Sequence, residues 1–170
     1  RAVIKQIKEL ENQGFQYEGA DGSLELLLRK GFGQLDDYFQ LKNLKIILEK
    51  QEDSDFVAEA FIKIQIGDQV VHTAAEGDGP VNALDNSLRK ALAEVYPEIS
   101  EMHLSDYKVR VLDGNRGTAA RVRVLIESAN QAEKWSTVGV SENIIEASWQ
   151  ALIDSVNYLL MKKRLPGEEP

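Results

Sequence analysis

The sequence predicts an α+β fold: two strand-strand-strand-helix units related by a pseudo-twofold axis and packed together, preceded by a short helical linker or subdomain. Three observations predict it. The spacing of apolar residues changes from helical to alternating near residue 44, the order strand, strand, strand, helix occurs twice, and the two copies can be laid on each other.

In "RAVIKQIKELENQG", Val3, Ile4, Ile7 and Leu10 recur at helical spacing, and Asn12 to Gly14 supplies the stop. The chain opens inside this helix without a methionine, so the expectation is a piece of something longer. Residues 15–43 read as a short apolar helix capped by Ser23, then a glycine-rich break. From Leu44 three strands follow, "LKIILEK" (44–50), "FVAEAFIKIQI" (56–66) and "QVVHTAA" (69–75), the last two joined by Gly67-Asp68 as a hairpin turn.

Next comes "TAAEGDGPVNALDNSLRKAL", in which a glycine turn leads into a helix with Val81, Leu84, Leu88, Ala91, Leu92 and Val95 on one stripe, ended by Pro97. The order then repeats with "YKVRVLD" (107–113), "AARVRVLIES" (119–128), "KWSTVGVS" (134–141) and a helix from near Glu142 with Ile145, Trp149, Leu152, Val156 and Leu159 inward. Lys45 and Ile46 lie over Lys108 and Val109. Ile62, Ile64 and Ile66 lie over Val122, Val124 and Ile126, and Val81, Leu88 and Leu92 over Ile145, Leu152 and Val156. A unit of one three-stranded sheet with an apolar face and one helix buries little alone, because a small sheet needs a second layer, so the two units should pack against each other around the pseudo-twofold axis. The expected boundaries are a helical connector at 1–43, a double-unit domain at 44–165 with units 44–97 and 101–164, and a tail at 166–170.

Composition narrows the function. The 170 residues carry 28 acidic and 20 basic side chains, a formal charge of −8, which repels nucleic acid and anionic membranes. There is no cysteine, which removes disulfides, thiolate metal sites and a cysteine nucleophile, and makes a reducing cytoplasm the simplest location. No run approaches the roughly 18 apolar residues of a membrane span.

Catalytic patterns are missing. His72 and His103 lack metal-ligand spacing, G-x-S-x-G does not occur, and the Asp36-Asp37 and Glu52-Asp53 pairs sit in hydrophilic breaks. The glycine turn is not a phosphate loop: GxxxxGK[ST] is absent, and no lysine or arginine falls between His72 and Arg89. Arg110, Arg116, Arg121 and Arg123 read as a solvated or carboxylate-pairing sheet face, since Tyr107 is the lone aromatic among them.

Two readings of the glycine turn remain. In one it is a tight strand-to-helix corner, with Gly79 as N-cap and Pro80 in the first turn. In the other, Gly77 and Gly79 let a carboxylate reach the helix-start N–H groups, Val81 and Ala83 touch an apolar side chain, and Asp78 or Asp106 neutralises an ammonium. Those three contacts describe an amino acid.

With "TAAEGDGPVNALDNSLRKAL", "LSDYKVRVLDGNRGTAARVRVLIES" and "WSTVGVSENIIEASWQALIDSVNYLL", the chain resembles the C-terminal regulatory domain of the 2-isopropylmalate, citramalate and homocitrate synthase family over residues 42–163. "DYKVRVLDG", "GTAARVRVLIES" and "GVSENIIEASWQAL" look most like citramalate synthases, and "ENQGFQYEGADGSLELLLRK" looks like the connector before their regulatory domain. The resemblance implies a homodimerising allosteric domain, without catalytic residues of its own, that binds a branched-chain amino acid. Isoleucine is favoured over leucine, because citramalate feeds isoleucine synthesis. It implies a parent acyltransferase whose catalytic barrel, absent here, uses a divalent metal to condense acetyl-CoA with a 2-oxo acid; no cofactor is expected in this chain. By motif position the effector would meet Gly77, Gly79, Pro80, Val81, Leu104, Asp106, Tyr107, Val111, Thr118 and Ile144. Asp106 is the better ammonium partner, and Tyr107 a wall or lid. A purely structural dimerisation module is the competing reading.

Overall fold

The computed structural model describes residues 1–165; the tail expected at 166–170 lies outside them. In chain order the elements are α1 (Ala2–Asn12), α2 (Asp21–Gly31), β1 (Gln40–Glu49), β2 (Val57–Ile66), β3 (Gln69–Gly77), α3 (Pro80–Leu92), β4 (His103–Val111), β5 (Val122–Ala129), β6 (Lys134–Ser141) and α4 (Ile144–Arg164). They form two three-stranded antiparallel sheets, β1-β2-β3 and β4-β5-β6, each followed by a helix. Two compact units result, one of Asp37–Ser100 and one of Arg1–Asp36 with the chain from Glu101 on.

In the 37–100 unit, β2 alternates strictly, so Ala58, Ala60, Ile62, Ile64 and Ile66 all point to one face and are buried there. Helix α3 covers that face with Leu84, Leu88 and Leu92, each fully buried. Burying a side chain of this size stabilises by about 1.5 to 3 kcal/mol, which makes this layer the unit's main source of cohesion. The β2–β3 turn is the expected Gly67-Asp68, with Gly67 at φ +58, where a side chain would be strained. Helix α3 stops at Leu92, short of the expected end. Val95 lies beyond it, and Pro97 opens a separate 3-10 turn, Pro97–Glu101.

In the other unit α4 covers β5 and β6 and is buried on nearly every side along Ala147–Met161. The opposite sheet face carries the N-terminal helical segment. Tyr17, Ala20 and Val138 form a buried cluster there, with Ile7, Leu10, Phe15, Leu24, Leu27 and Leu125 packed on it. The segment 1–36 is therefore an integral layer of this unit, where a separate connector over 1–43 was expected, and β1 starts at Gln40. Ser23 does not cap α2, whose N-cap is Ala20. Its hydroxyl, buried, donates to Asp154 Oδ2 at 2.8 Å and accepts from Val138 N–H at 2.9 Å.

The two repeats match in detail. Each has one extra residue in its first strand, between Leu41 and Asn43 and between Leu104 and Asp106. In each, a threonine of the third strand bonds a helix carbonyl: Thr73 to Ser87 O at 2.9 Å, Thr137 to Ala151 O at 2.7 Å. Since Ile62 pairs with Thr73 and Ile126 with Thr137, Ile62 corresponds to Ile126. The overlay expected for the second strands, Ile62 on Val122, is thus slipped by four positions. An even slip keeps every side chain on its own face, so the sequence pattern alone does not reveal it.

Candidate functional site

Gly77, Gly79, Pro80 and Val81 lie at the β3–α3 junction of the 37–100 unit; the other six expected residues belong to the second unit. The two glycines differ physically. A Cβ on Gly77 would lie 2.2 Å from Ala83 N and 2.6 Å from its Cα, so the protein's own packing demands glycine there. Gly79 has φ −170 and ψ 179, an extended conformation open to any residue, and a Cβ on it would meet nothing within 4 Å. Neither its backbone nor its neighbours require glycine.

Helix α3 begins with Pro80 in its first turn and with no side chain bonded to its leading N–H groups. Its first backbone bond runs from Ala83 N–H to Gly79 O at 2.9 Å. Asn82 turns away from capping: its Oδ1 accepts from Asp78 N–H at 2.9 Å, while Asn86 Nδ2 donates to Glu76 O at 3.0 Å. These bonds brace the turn and leave the positive end of the helix facing open space beside Gly79, where a carboxylate can be accepted.

The matching start of α4 is closed. Asn143 Oδ1 accepts from Ile145 N–H at 2.9 Å and Glu146 N–H at 3.4 Å, and Ser141 Oγ bonds both Asn143 N–H and Glu146. Of two equivalent helix starts, one is filled by its own side chains and the other is open.

In the second unit, the bulge at Ser105 puts Leu104, Tyr107 and Val111 on the α4 face of β4, since they pair with Ser128, Ile126 and Val122. Tyr107 is held there by a 2.8 Å hydrogen bond between its hydroxyl and Ser148 Oγ. Asp106 pairs with Glu127 and lies on the opposite face. Its carboxylate accepts from Tyr107 N–H at 2.9 Å and sits 3.3 Å from Lys108 Nζ. The structure therefore joins Leu104, Tyr107 and Val111 and sets Asp106 apart from them. Thr118 is exposed in the 3-10 segment Gly114–Ala119, and Ile144 is the exposed first residue of α4.

Sequence reasoning missed two devices. Arg121 binds Asp113 at 2.9 Å and the Gln13 carbonyl, and Arg123 binds Gly14 O at 2.7 Å and Gln16 Oε1 at 3.0 Å. The basic cluster is partly a clamp on the N-terminal segment, and the arginine hydrogen bond holds the Asp113 carboxyl below its usual range. In α3, Asp85 is buried with Arg89 Nε 3.1 Å from both its oxygens. Burial pushes this carboxyl up while Arg89 pulls it down. Its sequence signal was an acidic residue on an otherwise apolar stripe, with an arginine one turn later.

Among the described residues no three His, Asp or Glu side chains cluster as metal ligands, and no helix is long and apolar enough to cross a membrane. What the two units define is a duplicated βββα domain with one helix start open and its counterpart closed. The chain matches the LeuA allosteric (dimerisation) domain family over residues 18–160, and it belongs to that family. It is 52% identical over 161 residues to the (R)-citramalate synthase of Geobacter sulfurreducens, covering 94% of this chain and 30% of that protein. The (R)-citramalate synthase of Aquifex aeolicus is 48% identical over 168 residues, 98% of this chain and 32% of its own length. The 2-isopropylmalate synthase of the same organism is more distant, 28% identical over 161 residues, 95% of this chain and 29% of its own. The chain thus spans about a third of the length of the curated relatives it matches.

Proposed function

We propose that this chain is the effector-binding and homodimerising regulatory region of a citramalate synthase, giving feedback inhibition of an acyltransferase that condenses acetyl-CoA with a 2-oxo acid. The reading rests on the higher identity to citramalate synthases than to 2-isopropylmalate synthases, and on one structural contrast. The α4 start is closed by Asn143, whereas the equivalent α3 start is open beside Gly79, a glycine that the protein's own atoms do not require.

The proposed effector is a branched-chain amino acid, with isoleucine ahead of leucine. Its carboxylate is received by the N–H groups of Val81 and Asn82 at the α3 start, and the Val81 side chain offers apolar contact beside it. Leu104, Asp106, Tyr107, Val111, Thr118 and Ile144 are tested separately, as a group within their own unit. Binding alone does not produce feedback: the effector must favour one of two states of the parent enzyme.

Titration calorimetry of the chain with isoleucine, leucine and valine tests the proposal. Isoleucine is expected to bind most tightly, Val81→Asp to abolish binding in a chain that still folds, and Tyr107→Ala to report on the second group. Absence of heat with all three amino acids, from a folded dimer, overturns the sensor and leaves the structural dimerisation module.

A further inference from the structure

The sheet of the 37–100 unit has a second face. Strand alternation and register place on it Asn43, Lys45 and Ile47 of β1, Glu59, Phe61 and Lys63 of β2, and His72, Ala74 and Glu76 of β3. No other element of the unit covers this face. At its margins Ile47, Val57 and Val70 are 37%, 47% and 45% exposed, and a shallow cavity of about 500 Å³ opens beside Phe61, lined by Lys42, Lys63 and His72 among others. The corresponding face of the second sheet is covered: where Phe61 and Ala74 stand in the first, Leu125 and Val138 stand in the second, beneath Tyr17 and Ala20.

The bare face has a charge order. Phe61 pairs with Ala74 at its centre; two residues to one side Glu59 pairs with Glu76, and two residues to the other Lys63 pairs with His72. The carboxylates of Glu59 and Glu76 are like charges directly opposite each other on neighbouring strands, which is destabilising. None of Glu59, Lys63 or Glu76 has an ion-pair partner among the described residues that would offset this. Lys45, on the central row, holds its ammonium 5.9 Å from the centre of the Phe61 ring.

We propose that this face is a dimer interface and that its occupant is the same face of a second copy of the chain. A twofold axis across the strands at the Phe61–Ala74 row lays each sheet over its copy with strand direction reversed. Glu59 and Glu76 of one copy then oppose Lys63 and His72 of the other, twice by symmetry, while the two Phe61 rings meet near the axis. Sheets stack face to face at about 10 Å with their inner side chains interdigitated, which suits one aromatic ring with the small Ala74 beside it. The inference rests on the homodimer of the proposed function and adds where it forms.

Charge reversal with mixing tests it. The chain with Glu59→Lys and Glu76→Lys has a wholly basic face; the chain with Lys63→Glu and His72→Glu has a wholly acidic one. In sedimentation equilibrium at low salt each reversed chain is expected to self-associate at least tenfold more weakly than wild type, and the equimolar mixture to form a heterodimer that raised salt dissociates. Circular dichroism checks folding. If a reversed chain does not fold, Glu59→Gln with Glu76→Gln takes its place, with the same tenfold weakening expected. Wild-type affinity in both altered chains overturns this surface and leaves the dimer standing elsewhere, whereas a monomeric wild-type chain overturns both. Calorimetry with isoleucine reads the sensor independently of either outcome.

Discussion

Gly77 and Gly79 stand two residues apart, yet the chain needs them for different reasons. At Gly77 a methyl group would be driven into the backbone of Ala83, so Gly77→Ala must push α3 off its sheet. A loss of about 3 kcal/mol or more is expected, at the upper end of overpacking costs, read as a lowered midpoint in urea. Gly79→Ala meets open space in an extended backbone and should change stability by less than about 1 kcal/mol. If a carboxylate occupies that space, the same substitution weakens isoleucine binding in calorimetry. The sequence shows both glycines but not this distinction, because it depends on how closely the backbone of Ala83, already in the helix, returns to the strand.

At the scale of elements, the clearest difference between the repeats is what happens at the free edge of the third strand. The outward N–H groups of β6 are met by side chains: Ser136 by Asp21 Oδ1, Val138 by Ser23 Oγ and Val140 by Gln150 Oε1, each at 2.9 Å. Two of these acceptors come from α2, so the N-terminal helices both cover a sheet face and close an edge that would otherwise invite pairing with another strand. Ser23→Ala removes the acceptor for a buried N–H and a donor to Asp154. It should cost about 1 to 3 kcal/mol in chemical denaturation, with the Val138 amide losing protection against hydrogen exchange ahead of its neighbours in β6. None of this was legible in "DGSLELLLRK", where the serine reads as a helix cap. Its partners, Val138 and Asp154, lie more than a hundred residues away.

For the molecule as a whole, alkaline pH tests how firmly the N-terminal layer is buried. Burial, with smaller contributions from the Asp154 and Glu11 charges, pushes the Tyr17 phenol up from 10.0 to about 12, and burial pushes Tyr158 higher still. Between these values and 10 the unfolded chain has released a phenolic proton that the folded chain retains, so stability falls as pH rises through this window. Below pH 10 both states are protonated and the effect vanishes. Tyr17→Phe should therefore flatten the decline in unfolding free energy between pH 10 and pH 12, by about 2 kcal/mol at the upper end, as measured by urea titrations across that range.

By itself the sequence determined the order of elements, the duplication and the face each residue takes, because alternation and helical spacing are local properties written residue by residue. Val81, Leu88 and Leu92 fell on Ile145, Leu152 and Val156 for that reason, and the glycine turn stood out as the start of a helix. Tertiary structure decided the rest. It placed residues 1–36 within the second repeat's unit through Arg121, Arg123 and Ser23, and set the strand register that moves Ile62 from Val122 to Ile126. Through the bulge at Ser105 it also brought Leu104 onto the face of Tyr107 and away from that of Asp106, and it left one face of the first sheet uncovered within its unit. Each of these depends on contacts between residues far apart in the chain, and side-chain periodicity is blind to an even slip, a bulge or a distant partner.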